Sequence, residues 1–142
     1  MSRIQIINGP NLNLLGRREQ EIYGKESFED FLATLKNEFT GAEIGYFQSN
    51  IEGEIVDAIQ KKGFECDAIV INPGGYSHTS VAIADAMKAV PSKVIEVHIS
   101  NVFNREEFRR NLVTALSTDA FICGFGLEVY RMAITGIMKD LS

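Results

Sequence analysis

"AIVINPGGYSHTSVAIADAMKAVPSKVIEVHIS", residues 68–100, decides the fold. It opens on an unbroken apolar run, Ala68–Ile71, breaks at Asn72-Pro73-Gly74-Gly75, and returns to a second run, Val94–Val97. Runs that are apolar at successive rather than alternate positions belong to strands covered on both faces. The stretch between them is too long for a hairpin and long enough for a crossover, so the two strands are expected to lie parallel.

Working outward, similar short β-branched runs recur at Ile4–Ile7, Ile44–Phe47 and Ala120–Cys123. Helical spacing falls between them. Phe28, Phe31, Leu32, Leu35 and Phe39 share one helix face, as do Val129, Met132, Ala133, Gly136 and Ile137. Helix starts are expected at Ser27 before Phe28, at Ser49 with Glu52 three residues on, and at Asn104 with Glu107 three residues on. Gly63 after Lys61-Lys62 reads as a helix stop. Five strand-like runs alternating with four or five helical stretches predict an α/β chain. Its expected form is a flavodoxin-like three-layer fold, a five-stranded parallel sheet of order 2-1-3-4-5 with helices on both faces, in a single domain spanning 1–142.

Composition supports one globular unit: 142 residues, 45% of them hydrophobic. A net charge of −5 repels a phosphodiester backbone, so no nucleic acid and no membrane surface is expected as partner. Cys66 and Cys123 lack metal-site or disulfide-framework spacing and read as buried free thiols in a reducing compartment. With neither a signal-peptide pattern nor a run of membrane-spanning length, the expected location is cytoplasmic.

In doubly wound sheets ligands bind beyond the carboxyl ends of the strands. Both of the chain's histidines fall at that edge, His78 in "NPGGYSHTS" and His98 in "VHISN". One histidine there is more often a hydrogen-bonded structural residue; two out of two favour a site, since either can move a proton near neutral pH. Asn8, Asn11, Asn13, Asn50, Asn72 and Asn101 share the edge. For Asn8 and Asn101 turn and cap chemistry is at least as good an explanation. Asn11 and Asn72 are better candidates for an oxygen-rich ligand, which needs donors and acceptors together. Gly74-Gly75 lets backbone N–H groups approach an anion, and Ile99 and Ser100 offer the same if a helix begins near Asn101–Arg105.

Several chemistries lack their residues. There is no phosphate-loop Gly-Lys-Ser/Thr, no complete dinucleotide fingerprint, no nucleophile elbow and no metal-ligand spacing, so neither cofactor nor metal is expected. Lys36, Lys61, Lys62, Lys88, Lys93 and Lys139 read as helical or at the opposite edge, leaving Lys25 alone for a Schiff base. Acid–base chemistry remains. A tyrosine with a pKa of about 10 is ionised in roughly one molecule per thousand at pH 7, so Tyr23 is a useful base only beside a cation. Arg18, five residues earlier, can supply that charge, each unit of depression requiring about 1.36 kcal/mol. Taken alone, "EIYG" and Arg17-Arg18 are more often a surface anchor and a solvated pair.

"INGPNLNLLGRRE", "IYG", "FQSNIEGE", "INPGGYSHTSVAIADA" and "EVHISNVFNREEFR", in this order over most of the chain, resemble the type II 3-dehydroquinate dehydratases. The resemblance implies a hydro-lyase of the shikimate route or of quinate breakdown. It would remove water from 3-dehydroquinate by anti elimination through an enolate, giving 3-dehydroshikimate without Schiff base or cofactor. It implies Tyr23 as phenolate base, Arg18 lowering its pKa, and Asn11 holding the enolate oxygen through a water. His98 is implied as general acid, oriented by Glu96 or a neighbour. Asn72 with the N–H groups of Ile99 and Ser100 would take the substrate carboxylate, and His78 and Arg109 the ring hydroxyls. Asp85 would arrive from an adjacent subunit of a homo-oligomer, a dodecamer of trimers, and Arg105 matches a further arginine, with a role in holding the loop. A lid over about 16–24 would carry Arg18 and Tyr23.

The sequence departs from that pattern in three places. Gln20 replaces a common proline, Asn104 replaces a small residue, and "RNLVTALSTDA" after Arg109 lacks a His-Ser-rich continuation. The last is expected to bear on subunit contacts and affinity and not on the acid or base. Two other readings use the same fold: a binding module for a sugar acid or flavin phosphate, and a regulatory paralogue without turnover.

Overall fold

The computed structural model describes residues 1–17 and 26–141. Five strands, β1 (Ser2–Asn8), β2 (Ala42–Gln48), β3 (Ala68–Asn72), β4 (Lys93–His98) and β5 (Ala120–Cys123), form one parallel sheet. Their order is 2-1-3-4-5, the flavodoxin-like order expected for a chain of this length. Four α-helices flank it: α1 (Phe28–Glu38), α2 (Glu52–Glu65), α3 (Val81–Lys88) and α4 (Glu128–Leu141).

Side chains alternate along each strand, and both faces are dry. Ile4, Ile6, Val70 and Val97 join Phe28, Phe31, Leu35, Tyr130 and Ile134 on the α1/α4 side. Ile7, Ile69, Ile71 and Val94 join Ile55, Ile59, Ile83 and Met87 on the α2/α3 side. The register sets Gln48, Asn8 and Asn72 side by side at the carboxyl ends of the three neighbouring strands β2, β1 and β3. The polar edge is therefore built by strand pairing itself.

Helix boundaries follow tertiary contacts where local signals compete. Ser27 caps α1 as expected, its Oγ accepting from Asp30 N at 3.2 Å. Ser49 does not start α2: its hydroxyl accepts from Ile51 N and donates to Glu54, so the helix begins only at Glu52. Gly63 is not a stop. α2 runs through it to Glu65, and a Cβ there would lie 2.4 Å from Val90 Cβ, so the glycine permits close packing of the α3–β4 connection. On α4 the buried stripe is Val129, Tyr130, Ala133, Ile134 and Ile137, while Met132 and Gly136 are exposed: the helix presents the face one residue round from the expected one.

Asn104 caps nothing. After β4, Asn101 Oδ1 accepts from Phe103 N, and the chain proceeds through three short 3-10 turns, Val102–Asn104, Glu107–Arg110 and Thr114–Ser117, with no α-helix before β5. Cys66 and Cys123 are free but half-buried rather than buried. No described helix is long and apolar enough to cross a membrane.

Candidate active site

A cleft of about 230 Å³ opens beyond the carboxyl ends of β1, β3 and β4. Asn11, Asn72, His78, His98, Ile99, Ser100 and Arg109 all line it, which brings together seven of the residues named from sequence. Arg105, Glu106, Gly74, Gly75 and the apolar Leu12, Leu15 and Val102 are also part of the wall. Tyr23 and Arg18, with Gln20 and Lys25, lie outside the described residues. Arg17 is exposed. Asp85 is exposed on α3 and does not line this chain's own cleft. The other named lysines stand on helices or at the start of β4, and no described lysine reaches the cleft.

The β1 side rests on amides. Asn11 is the one non-glycine residue with positive φ, 71°, among those described. That left-handed backbone is held by Asn50, whose Oδ1 accepts from Asn11 N at 3.0 Å and from Gln48 Nε2 at 3.2 Å. The Asn50 carbonyl accepts from Tyr76 Oη at 2.8 Å, tying the loops after β1, β2 and β3 together. The first and third also touch directly: Gly9 N donates to Asn72 O at 2.8 Å, and a Cβ on Gly9 would lie 2.5 Å from Pro73 O. "FQSN" is thus the clamp of the edge, a role that its residue types alone did not reveal.

The floor is a buried network. Tyr130, fully buried on α4, donates to Asn8 Oδ1 at 2.7 Å and accepts from Asn72 Nδ2 at 3.2 Å. Burial pushes its phenol up, so it stays protonated and can donate. Asn72 Oδ1 accepts from Gly74 N at 3.1 Å, which locks the amide with one Nδ2 proton left over. Asn8 Nδ2 is buried with no hydrogen-bond partner among the described residues. Asn101 is the cap that turn chemistry suggested, whereas Asn8 is a member of this network.

The two histidines are tied differently. His78 Nδ1 lies 3.0 Å from Asn111 O; a carbonyl only accepts, so Nδ1 carries the proton and Nε2 is left as an acceptor. Burial lowers the His78 pKa, the bond to Asn111 opposes that, and the nearby His98 and Arg109 charges lower it further. His98 Nε2 lies 2.7 Å from Glu96 Oε2. A carboxylate accepts, so Nε2–H donates and Nδ1 is free to exchange a proton with a ligand. Strand periodicity puts Glu96 and His98 on one face of β4, with the carboxylate fully buried.

Glu96 Oε1 accepts from Thr114 Oγ1 at 2.6 Å. Thr114 belongs to "RNLVTALSTDA", so this departing stretch meets the carboxylate behind His98, though not His98 itself. Sequence reading missed Thr114, Tyr130 and the Asn50 clamp. Glu106, also unforeseen, lines the cleft and holds Arg109 Nε at 2.6 Å. No described residue accepts from the backbone N–H of Ile99 or Ser100 beside His98.

These features define an open α/β sheet with a polar, histidine-bearing strand-edge cleft, fitted for acid–base chemistry on a small anionic molecule. Comparison with known proteins narrows that class. Residues 2–138 match the profile of the family described as Dehydroquinase class II. The 3-dehydroquinate dehydratase of Caldicellulosiruptor bescii is 51% identical over 144 aligned positions, covering 99% of each chain. The crystal structure of type II dehydroquinase from Butyrivibrio crossotus superposes with a TM-score of 0.93 at 48% identity, covering 96% of this chain and 97% of that one. The Propionibacterium acnes type II dehydroquinase gives 0.94 at 37% identity over 99% and 98%. The chain belongs to the class II dehydroquinase family of enzymes.

Proposed function

We propose that this enzyme converts 3-dehydroquinate to 3-dehydroshikimate and water by anti elimination through an enolate, on the shikimate route to aromatic amino acids. Tyr23, as a phenolate beside Arg18, takes the C2 proton. Electrons move onto the C3 carbonyl oxygen, which a water on Asn11 stabilises. Return of those electrons expels the C1 hydroxyl, and His98 Nδ1–H protonates it as it leaves. The carboxylate sits on the Ile99 and Ser100 N–H groups and on the spare Nδ2 proton of Asn72. His78 Nε2, an acceptor, and Arg109, a donor, take ring hydroxyls.

The observation that carries this reading is the buried Glu96–His98 pair at the cleft wall, a carboxylate 2.7 Å from an imidazole whose other nitrogen is free for a ligand. The reaction uses neither metal nor Schiff base; the absence of a described lysine from the cleft supports the latter point. Asp85 enters the site of a neighbouring copy, in an assembly built as a dodecamer of trimers, and the enzyme works in the cytoplasm.

Purified protein mixed with 3-dehydroquinate at neutral pH will show rising ultraviolet absorbance from the conjugated enone carboxylate. A flat trace overturns the reading. Borohydride added with substrate will leave activity intact, and a substrate–lysine adduct would refute the enolate route.

A further inference from the structure

We propose that Thr114 is a positioning residue for the acid of the cleft: its hydroxyl fixes the Glu96 carboxylate that in turn orients His98. The inference rests on the reading of His98 as general acid. Thr114 is fully buried and does not line the cleft, so it acts through Glu96 and not on substrate.

Glu96 is removed from water, and among the described residues its carboxylate makes two hydrogen bonds, one on each oxygen. Oε1 takes the Thr114 hydroxyl at 2.6 Å and Oε2 takes His98 Nε2–H at 2.7 Å. With both oxygens held, rotation of the carboxylate breaks both contacts together. The hydroxyl proton is committed, because an ionised carboxylate can only accept. A buried carboxylate with one partner missing is a stronger proton acceptor than one with both. Thr114 therefore governs both the direction of the imidazole and the share of the proton that Glu96 draws from it.

Among the described residues, other charged groups do not replace this donor. His78 after β3 and Arg109 after β4 are near enough to interact electrostatically, and Arg105 and Glu106 share the cleft wall. β5 turns Phe121 toward His98, at 5.3 Å between ring centroids. Asp85 and Lys88 on α3, which packs against the Thr114–Ser117 turn, are exposed. No hydrogen bond from any of these reaches Glu96.

The test compares Thr114→Val with Thr114→Ser in the full chain, using histidine-labelled protein. Only two imidazoles are present, so His98 can be followed directly by NMR. Without the hydroxyl, the Glu96–His98 unit holds its proton to higher pH, and the His98 midpoint rises by about one unit in Thr114→Val. In the same variant kcat falls about ten- to hundred-fold while KM stays within about twofold. Thr114→Ser restores both.

A merely structural role predicts a lower melting temperature with an unmoved midpoint, and that result overturns the proposal. So does a midpoint that falls, or a serine variant as impaired as the valine one. If Thr114→Val does not fold, Thr114→Cys, with its weak donor, must show the same upward midpoint. A shifted midpoint in a protein that does not dehydrate 3-dehydroquinate refutes the proposed function and leaves the Thr114 assignment standing. Turnover with an unmoved midpoint does the reverse.

Discussion

His78 and His98 face one cleft from neighbouring strand ends with nearly equal exposure, 9% and 6%, yet their rings are tied to different partners. His78 gives its Nδ1 proton to a neutral carbonyl, and burial holds its pKa down. His98 gives its Nε2 proton to a buried carboxylate that Thr114 steadies. The β3 wall therefore presents an acceptor whose pKa burial holds down, and the β4 wall presents an imidazole tied to a carboxylate with its Nδ1 turned to the cleft. Location at the strand edge makes each histidine a candidate; the hydrogen bond on its far nitrogen assigns the role.

Three variants can break that contrast. In the proposed mechanism neither wall supplies the base, so Tyr23→Phe should abolish turnover, while product binding by isothermal titration stays measurable; a near-normal rate would place the base on a wall after all. His98→Asn should lower kcat about a thousandfold, the range for loss of a general acid. His78→Asn should instead raise KM about tenfold with kcat down less than tenfold, since it removes a hydrogen bond to the ring. Equal losses of kcat in the two variants would erase the distinction between the walls.

Smaller effects test what the walls stand on. Tyr130→Phe removes the hydroxyl shared by Asn8 and Asn72, and should cost about 1–3 kcal/mol in urea unfolding. Smallest is the pH dependence of stability. With the His78 pKa lowered in the folded state, the unfolded chain binds more protons as pH falls below about 6.5. Stability is then complete above that pH and declines as pH drops toward the folded value. In His78→Gln this decline should flatten, by no more than about 3 °C in Tm between pH 7 and pH 5.

The sheet was legible because burial on both faces writes itself locally, as unbroken runs such as Ala68–Ile71. Helix ends were less so. Ser49 looks like a cap, yet its hydroxyl bonds to Glu54, and Gly63 looks like a stop, yet it exists to admit Val90. Both outcomes depend on neighbours that local spacing does not specify. The cleft was legible to the same depth: the strand-edge rule and residue type picked out His78, His98, Asn11 and Asn72. Tyr130 bonds Asn8 across 122 positions, and Asn50 reaches Asn11 across 39, contacts with no local signature.

By itself the sequence determined the strands, their burial on both faces and the edge where chemistry collects, because strand and helix periodicity are short-range consequences of which face is dry. The tertiary structure alone decided which nitrogen of each histidine is free, and that a threonine in the segment after β4 steadies the carboxylate behind one of them. Those are hydrogen bonds between segments that meet only once the sheet has formed, and in a buried site the partner sets the proton.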